Sequence, residues 1–456
     1  MSAVSPPPPA DARDATDAAT HSHTVAGGRP LTGTIAVPGD KSISHRALVL
    51  AALADGVSTI TGLSTGDDVA RTRQAVAALG AGVTEEGGTV RVEGGRGRLA
   101  APDHPLDLGN SGTGLRLLAG VVATLPGTTV LTGDASLRTR PMDRVAEPLG
   151  LMGARLSGQG DRCLAPVSVS GGPLHGIAYT PPMASAQVKS AILLAGIAAY
   201  GETVVTEPVA TRAHTEEMLA AVGADIEVTW MGTGKTIRVR ASTLACGAYT
   251  VPGDPSQAAF WLVGATTVPG SLVTVTDITL SPERLGFLGV LRRMGATIEV
   301  EDRGDGTGSV TSYTCALHGT VVEAAEIPSL DEVPILAVAA ATALGTTRFR
   351  DVGELRVKES DRLAGTIELV RAFGGRADAE GDDLVVEGEG TPLRPAVFDA
   401  GGDHRMAMAA AVAGATCPAS GRPTTVLGWE SVATSYPGFA DDLDRLTSAA
   451  GAGGAR

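Results

Sequence analysis

Residues 37–46 read Val37-Pro-Gly-Asp-Lys-Ser-Ile-Ser-His-Arg46 and lead directly into the apolar residues 47–54. The Pro-Gly turn ends the preceding element, and Asp40 or Ser42 can cap the helix that follows. Lys41 then lies on the first helical turn. Because free N–H groups at a helix N-terminus attract anions and a lysine adds a full charge, the stretch predicts a phosphate or carboxylate site. The Gly-x-x-x-x-Gly-Lys-Ser/Thr pattern is absent, so a nucleotide is not implied.

Taken alone, the stretch fits an ordinary capped surface helix equally well, but the same turn-then-helix junction returns along the chain. The junctions begin at Asp40, Asn110, Ser185, Asp254, Asp331 and Asp403. Their spacing of about 70, 75, 69, 77 and 72 residues is a repeat period. A helix that ends in glycine before a hairpin marks the same period at Gly80, Gly153, Gly223, Gly295 and Gly374. The sequence therefore predicts an α/β fold of six strand-helix-strand-helix-hairpin repeats with their helices buried together.

The last repeat lacks a hairpin after its final helix, which the sequence places at residues 441–448. Residues 31–37 alternate like a strand and could supply the missing one. The chain would then cross between two domains near Pro38 and again near Pro252. We expect domains of three repeats each, one at 41–252 and the other formed by 29–40 with 253–448. Residues 1–28, rich in Pro, Ala, Asp and Thr, are expected to be a disordered tail.

Composition narrows the functional classes. The chain has 456 residues, a net charge of −14 and 3% aromatic residues, which argues against a nucleic-acid-binding protein. An anionic substrate must therefore be met by basic residues gathered locally. The spacing of histidines and cysteines predicts no metal site, and no stretch resembles an export signal or a membrane span. The four cysteines (Cys163, Cys246, Cys315 and Cys417) are expected to be reduced, mostly buried thiols of a cytosolic protein.

Basic residues gather at further strand-to-helix turns. Arg138 and Arg140 lie at one such turn, Arg212 at a second, and Lys358 with Arg362 at a third. Each turn could be an ordinary solvated helix start. Their recurrence at equivalent points of a repeat, beside helix N-termini, favours a shared cleft that binds phosphate and carboxylate groups.

Together these motifs resemble the signature set of the EPSP synthase family, the 3-phosphoshikimate 1-carboxyvinyltransferases. The resemblance runs from about residue 29 to 446 and is carried by residues 37–46, 108–113, 137–142, 185–191, 356–362 and 403–406. It implies a two-domain inside-out α/β barrel whose site lies in the cleft between the domains. It also implies that the 5-hydroxyl of shikimate 3-phosphate attacks C2 of phosphoenolpyruvate, after which phosphate leaves and an enolpyruvyl ether remains. The implied setting is the shikimate pathway to chorismate and the aromatic amino acids, in a cytoplasmic monomer that needs no cofactor.

The implied reaction needs an acid and a base. The enol carbon of phosphoenolpyruvate becomes electrophilic only when its methylene is protonated, so a carboxylic acid must stand over C3 while another group takes the hydroxyl proton. The resemblance assigns proton delivery to Glu359 and the hydroxyl proton to Asp331, with the division of roles left open. Lys41 would contact both substrates and stabilise the charge that develops in the adduct.

The resemblance also implies two sets of ligand contacts. The shikimate 3-phosphate set is Lys41, Ser42, Arg46, Ser185, Ala186, Gln187, Arg212, Asp331 and Lys358. The phosphoenolpyruvate set is Lys41, Gly112, Thr113, Arg140, Gln187, Arg362 and Arg405. The backbone at Gly112 is expected to lie close to the ligand because glycine has no side chain.

Two positions depart from the family pattern. Thr434 stands where many members carry a lysine, and Leu117 replaces a common proline. The first departure implies some loss of charge pairing to phosphate. Because Gly112 is kept where resistant members can carry alanine, the resemblance also implies inhibition by glyphosate.

Three alternatives stay open at this point. The enolpyruvyltransferases that act on UDP-N-acetylglucosamine share the fold, but they typically carry Lys-Asn where Lys41-Ser42 stands and a loop cysteine near Arg138. This chain has no cysteine between residues 100 and 160. The RNA 3′-phosphate cyclases use related repeats, against which the acidic, aromatic-poor composition counts. A catalytically silent phosphate-binding relative is disfavoured because Asp331 and Glu359 are both present.

Overall fold

The structure is a computed structural model that describes residues 21–419 and 421–448. Twelve α-helices are found in these residues: α1 (Lys41–Leu53), α2 (Asp67–Ala78), α3 (Gly112–Val122), α4 (Asp143–Leu151), α5 (Ala186–Gly196), α6 (His214–Ala221), α7 (Pro255–Thr267), α8 (Gly286–Arg293), α9 (Val333–Thr342), α10 (Arg362–Ala372), α11 (His404–Thr416) and α12 (Phe439–Ser448).

The strands of the described residues are short, and most of them are separated by helices or tight hairpins. In chain order they are β1 (Ser22–Val25), β2 (Thr32–Ala36), β3 (Gly56–Thr61), β4 (Gly82–Glu86), β5 (Thr89–Gly94), β6 (Leu106–Asp107), β7 (Gly127–Thr132), β8 (Arg155–Gln159), β9 (Leu164–Gly171), β10 (Ala178–Tyr179), β11 (Glu202–Glu207), β12 (Ile226–Met231), β13 (Gly234–Arg240), β14 (Ala248–Thr250), β15 (Leu272–Thr279), β16 (Ile298–Asp302), β17 (Thr307–Tyr313), β18 (Val321–Glu323), β19 (Leu344–Arg350), β20 (Arg376–Glu380), β21 (Asp383–Glu389), β22 (Val397–Asp399) and β23 (Thr424–Leu427).

One pattern repeats in the sheets. In the sheet β6-β7-β9-β8, the first two strands pair in parallel and the others pair antiparallel. Helix α3 connects β6 to β7, and α4 leads from β7 into the β8-β9 hairpin. The sheets β10-β11-β13-β12 and β18-β19-β21-β20 have the same order. The predicted strand-helix-strand-helix-hairpin repeat is therefore confirmed.

Two sheets exchange a strand between the halves of the chain. Strand β2 pairs in parallel with β15, although α1, which follows it, packs in the first half. Strand β14 pairs in parallel with β3, although α7, which follows it, packs against β15. The two crossing segments lie side by side, since the Asp40 N–H donates to the Pro252 carbonyl (2.7 Å) and the Asp254 N–H donates to the Pro38 carbonyl (2.9 Å).

The strand that completes the sixth sheet differs from the prediction. Residues 31–37 were expected to replace the missing hairpin strand, but β2 lies in the sheet of β15. Strand β1 pairs antiparallel with β23 instead, from Ser22 opposite Leu427 to Val25 opposite Thr424. The expected disordered tail over residues 1–28 is thus wrong for residues 22–25, because they gain ladder hydrogen bonds and bury Val25. Residues 1–20 of that tail lie outside the described residues.

Buried apolar side chains form two separate clusters. One is built from residues 25–37 with 258–446, and the other from residues 47–251. The inner helices supply both clusters, and α11 is buried along its whole length. Gly120 lets α3 approach α5 closely, since a Cβ there would lie 2.3 Å from the Ala191 carbonyl oxygen of α5. The division into domains at 29–40 with 253–448 and at 41–252 stays a prediction, for which the strand exchange and the two clusters give a physical basis.

The helix starts follow the predicted junctions with two exceptions. Side chains of Asp40, Ser185, Asp254 and Asp403 accept hydrogen bonds from the first turns of α1, α5, α7 and α11. Helix α3, however, is capped by Ser111 rather than Asn110, and α9 starts after Glu332 without a side-chain cap. Asn110 and Asp331 are thereby left for other contacts.

The described residues contain no candidate membrane span and no candidate metal site, and only one of their thiols is buried. None of their helices has the length and apolar character that a bilayer crossing requires. The same residues hold no group of three His, Cys, Asp or Glu side chains placed to bind a metal ion. All four cysteines are free, but the expectation of mostly buried thiols is wrong. Cys417 alone is buried, and Cys246 is exposed because it lies in the loop between β13 and β14.

Candidate active site

Charged side chains from the two halves of the chain meet between the two clusters. Arg212 Nη2 lies 3.7 Å from Asp331 Oδ2. Arg140 Nη1 lies 3.4 Å from Glu359 Oε1. The Ser136 hydroxyl donates to the Glu359 carbonyl at 2.8 Å. The cleft that the sequence predicts is therefore lined from both sides.

Lys41 is the first residue of α1 and is mostly shielded from solvent. Its Nζ lies 2.8 Å from Asp68 Oδ2, and its backbone N–H donates to Asp254 Oδ2 at 3.2 Å. Burial raises the pKa of Asp68, an effect that the nearby ammonium of Lys41 opposes. Sequence reasoning missed Asp68, because an aspartate in the first turn of α2 looks like an ordinary helix-start residue.

Ser42, Arg46 and Arg212 lie together on the first half of the chain. Arg46 is buried and donates from Nη1 to the Ser42 carbonyl at 2.8 Å. It also donates to the hydroxyls of Thr215 (2.7 Å) and Ser190 (2.9 Å). Arg212 Nη1 donates to the Ser42 hydroxyl at 3.3 Å. Burial, together with the nearby Arg212, lowers the pKa of Arg46 to about 10.

The N-terminus of α5 adds a polar group on the same side. Gln187 donates from Nε2 to the Thr113 hydroxyl at 2.9 Å and accepts from Arg116 Nη1 at 2.6 Å. Ser185 and Ala186 directly precede Gln187, and the Ser185 hydroxyl caps the helix. Sequence reasoning missed Arg116, although its position four residues after Gly112 on α3 could have indicated it.

Gly112 faces two guanidinium groups. A Cβ on Gly112 would lie 2.9 Å from Arg116 Nη1 and 3.0 Å from Arg140 Nη1. Arg140 also donates to the Asn110 side chain and to the Ser136 hydroxyl (3.3 Å). The glycine thus leaves space in which the ends of both arginines can lie.

Arg362 connects the two predicted catalytic carboxylates. It is fully buried, with Nη1 at 3.1 Å from Asp331 Oδ1 and Nη2 at 2.7 Å from Glu359 Oε2. Its own position is fixed by Asp403, whose two oxygens accept from Nε (2.8 Å) and Nη2 (3.2 Å). Such a planar fork holds its partners in defined directions. One guanidinium therefore orients both carboxylates.

Both carboxylates are ionised in this arrangement. Burial alone would raise the pKa of Glu359, but Arg362 and Arg140 outweigh it and hold that pKa well below its usual value. Burial also acts to raise the pKa of Asp331, and Arg405 and Lys358 outweigh it. Arg405 Nη2 lies 3.4 Å from Asp331 Oδ2. Lys358 Nζ donates to the Ser329 carbonyl at 3.0 Å, and burial lowers its pKa.

The model of a known protein family matches most of the chain. The family model of EPSP synthase (3-phosphoshikimate 1-carboxyvinyltransferase) matches residues 25–443. The chain belongs to the EPSP synthase family. The resemblance seen in the sequence is thereby confirmed.

Relatives of the EPSP synthase family cover nearly all of the chain. A 3-phosphoshikimate 1-carboxyvinyltransferase of Anaeromyxobacter sp. (strain K) is 48% identical over 432 residues, which cover 93% of this chain and 96% of the relative. That of Acidiphilium cryptum is 49% identical over 420 residues, which cover 90% and 93%. An EPSP synthase structure from Acinetobacter baumannii superposes with a TM-score of 0.80 at 39% identity, covering 93% of this chain and 98% of that one.

A more distant structure supports the fold. An enolpyruvyl transferase from Streptomyces tendae, 21% identical, superposes with a TM-score of 0.75 and covers 93% of this chain and 97% of its own. The predicted fold class, a two-domain inside-out α/β barrel of six strand-helix repeats, is confirmed.

The two departures from the EPSP synthase pattern lie at different depths. Leu117 is fully buried in α3. Thr434 lies beside the start of α2, since a Cβ on Gly66 would be 2.5 Å from the Thr434 carbonyl oxygen. Gly66 precedes Asp68, the partner of Lys41, by two residues. The position of the common family lysine is therefore close in space to the start of α2, the helix that carries Asp68.

Arg284 forms ion pairs with both segments in which the chain crosses between its halves, near Pro38 and near Pro252. Its Nη1 lies 2.7 Å from Asp40 Oδ2 and its Nη2 lies 2.5 Å from Asp254 Oδ1, and all three side chains are buried. Asp40 and Asp254 cap α1 and α7, so one arginine links the starts of both helices. Nothing in the sequence around Arg284 indicated this role.

Proposed function

We propose that the protein transfers the enolpyruvyl group of phosphoenolpyruvate to the 5-hydroxyl of shikimate 3-phosphate and releases phosphate. The observation that carries this proposal is the buried Arg362, which orients the two acid–base candidates Asp331 and Glu359 within one cleft. Cationic side chains from both halves surround these carboxylates, as two anionic substrates require. The family relationship supports the same reaction.

The proposed steps use the two carboxylates in turn. Asp331 removes the proton of the 5-hydroxyl while the hydroxyl oxygen bonds to C2 of phosphoenolpyruvate. The electron pair of the C2–C3 double bond takes a proton from Glu359 at C3. The bond from C2 to the phosphate oxygen then breaks and phosphate leaves with its electron pair, while a methyl proton is removed from C3 to restore the double bond. Glu359 is placed to take this proton back, because it is the group assigned to C3. Lys41 stabilises the negative charge of the adduct.

The substrate contacts follow the two predicted sets. We assign the carboxylate, phosphate and hydroxyls of shikimate 3-phosphate to Ser42, Arg46, Ser185, Ala186, Gln187, Arg212 and Lys358, with Lys41 and Asp331. We assign phosphoenolpyruvate to Gly112, Thr113, Arg140, Arg362 and Arg405, with Lys41 and Gln187. The observed contacts of Gln187 with Thr113 and Arg116 support its place between the two sets.

The setting of the reaction is also a proposal. One chain supplies both contact sets, so a monomer suffices. The cysteines of the described residues are free, which suits the reducing cytoplasm. The chemistry above needs no cofactor.

A phosphate-release assay tests the proposal. The full-length protein should release phosphate only when phosphoenolpyruvate and shikimate 3-phosphate are both present. UDP-N-acetylglucosamine serves as the competing acceptor. Release with that acceptor, or no release with either, would assign the chain to one of the alternatives instead.

A further inference from the structure

Four charged side chains are buried beneath the loop that carries Arg212. We propose that Lys189, Glu207, Glu216 and Lys235, here named the Lys189 cluster, position Arg212 for shikimate 3-phosphate. Within this cluster Lys189 is the positioning residue, since it contacts the backbone of Arg212 itself. The inference rests on the proposed function, in which Arg212 contacts that substrate.

The cluster is closed to solvent and internally paired. Lys189 Nζ lies 2.9 Å from Glu207 Oε2 and 2.8 Å from Glu216 Oε1, and Lys235 Nζ lies 2.9 Å from the same Glu216 oxygen. The exposed fractions of the side chains are 0%, 2%, 3% and 0% for Lys189, Glu207, Glu216 and Lys235. With two cations and two anions the cluster is neutral, so no net charge is left buried.

The remaining donors of the cluster are used on the loop between β11 and α6. Lys189 Nζ donates to the Arg212 carbonyl at 2.9 Å and reaches the Thr211 carbonyl at 3.4 Å. Lys235 Nζ donates to the same Thr211 carbonyl at 2.8 Å. The Thr211 hydroxyl donates to Glu207 Oε1 at 2.5 Å. Two consecutive residues of the loop are therefore fixed through charged hydrogen bonds, directly below the Arg212 side chain.

The direction of these bonds argues for positioning rather than for stability alone. Replacing a buried ion pair by apolar residues is often neutral for stability, so burial of four charges is not explained by stability. Helices α5 and α6, which carry Lys189 and Glu216, also fix a second site residue, Arg46. Its guanidinium donates to the hydroxyls of Ser190 and Thr215, which are adjacent in sequence to Lys189 and Glu216. The guanidinium of Arg212 then reaches Ser42 and, across the cleft, Asp331.

The test uses a charge-balanced variant, Lys189→Met with Glu216→Gln. It removes the bonds from Lys189 to the loop and leaves Glu207, Lys235 and the Thr211 hydroxyl in place. Losing charged hydrogen bonds to the loop should raise KM for shikimate 3-phosphate about ten-fold. Arg212 is assigned to shikimate 3-phosphate and should bind it equally well in the ground state and in the transition state. The KM for phosphoenolpyruvate and kcat should therefore change by less than about two-fold.

Two further variants keep the test decisive. Thr211→Val removes only the hydroxyl bond to Glu207, and we expect a smaller rise, about three-fold, in the same KM. Ser312→Ala is the matched control, because it removes a buried hydrogen bond to Thr266 (2.7 Å) in the other half of the chain. At a similar loss of thermal stability it should leave KM for shikimate 3-phosphate unchanged.

The pathway of the effect is tested with Arg212→Ala. If the cluster acts through Arg212, adding Lys189→Met and Glu216→Gln to Arg212→Ala should not raise that KM further. Additive rises, or an unchanged KM in the charge-balanced and Thr211→Val variants, would overturn the inference while leaving the proposed function intact. A normal KM in Arg212→Ala itself would instead remove Arg212 from the proposed substrate contacts.

Discussion

At the scale of single residues, the geometry of the site depends on the three carboxylates that pair with the guanidinium of Arg362. The same guanidinium contacts Asp331, Glu359 and Asp403, so both acid–base candidates share one fixed partner. This arrangement keeps Glu359 ionised when the cleft is empty, whereas proton delivery to C3 needs its acid form. The substrates must therefore change the charge environment of Glu359 before the reaction begins.

The first prediction follows from this requirement. The pKa of Glu359 lies well below its usual value, so the carboxyl binds no proton at pH 7. The anionic groups of phosphoenolpyruvate, by pairing with Arg140 and Arg362, should raise that pKa and lead to proton uptake. Calorimetry in buffers of different ionisation enthalpy measures this uptake, with Glu359→Gln as the matched control. Equal uptake by the wild type and the variant would remove Glu359 as the group that takes the proton.

The second prediction concerns turnover. Glu359→Gln and Asp331→Asn keep size and most hydrogen-bonding capacity but lose acid–base function, so kcat should fall by about 10²-fold or more. Binding of shikimate 3-phosphate, measured by direct titration, should change far less. A variant with nearly normal kcat has lost no catalytic group, and its residue would then have no part in the proton transfers.

The third prediction concerns Gly112. A Cβ there would lie within 3.0 Å of the ends of Arg116 and Arg140, which are flexible and can shift slightly. Glyphosate, which is longer than phosphoenolpyruvate, should therefore lose more affinity in Gly112→Ala than the natural substrate does. We expect inhibition of the wild type and a Ki that rises more than KM for phosphoenolpyruvate. A proportional rise in both constants would show that Gly112 does not discriminate between the two ligands.

At the scale of elements, two helix starts are linked through one arginine. Arg284 pairs with Asp40 at α1 and with Asp254 at α7, which are the helices that follow the two crossings. Because Lys41 is the first residue of α1 and also donates its backbone N–H to Asp254, the same link holds the proposed catalytic lysine. Stability and site geometry are therefore coupled at the crossings.

The fourth prediction tests this coupling. Arg284→Met leaves two buried carboxylates without their cation and should lower the free energy of unfolding by about 3–5 kcal/mol. Adding Asp40→Asn and Asp254→Asn removes both unpaired charges and should restore most of the loss. Urea unfolding measures both effects. If the triple variant is no more stable than Arg284→Met, the unpaired carboxylates are not the cause of the loss.

The elements also show what the sequence could and could not predict. The repeats and most residues of the candidate site were predictable because a turn followed by a polar, potentially capping residue recurs about every 70 residues, and because basic residues gather at several of the strand-to-helix turns. Strand β1 was missed because its four residues directly follow the polar N-terminal tail and gain order only from pairing with β23. Arg284 was missed because its partners are distant in sequence, and only folding brings them together.

At the scale of the whole molecule, the cleft between the two halves carries more positive than negative charge. Eight cationic side chains (Lys41, Arg46, Arg116, Arg140, Arg212, Lys358, Arg362 and Arg405) line the candidate site with four carboxylates (Asp68, Asp331, Glu359 and Asp403). The ion pairs Arg212–Asp331 and Arg140–Glu359 join opposite charges across the cleft, but they leave the cations in excess. Anionic substrates that contact both walls therefore stabilise the closed arrangement over any open one.

The last prediction is that shikimate 3-phosphate draws the halves together. Its phosphate and carboxylate offset the excess charge, and its contacts come from Arg212 on one side and from Lys358 and Asp331 on the other. Small-angle scattering should therefore give a smaller radius of gyration with saturating ligand than without it. Arg212→Ala, which lacks one contact to the ligand, should need more ligand for the same change, and high salt should reduce the difference by screening the attraction between the anionic ligand and the cations of the cleft. A radius of gyration that stays the same at saturation would mean that the substrate enters a cleft that is already closed, and that the charge excess is balanced without it.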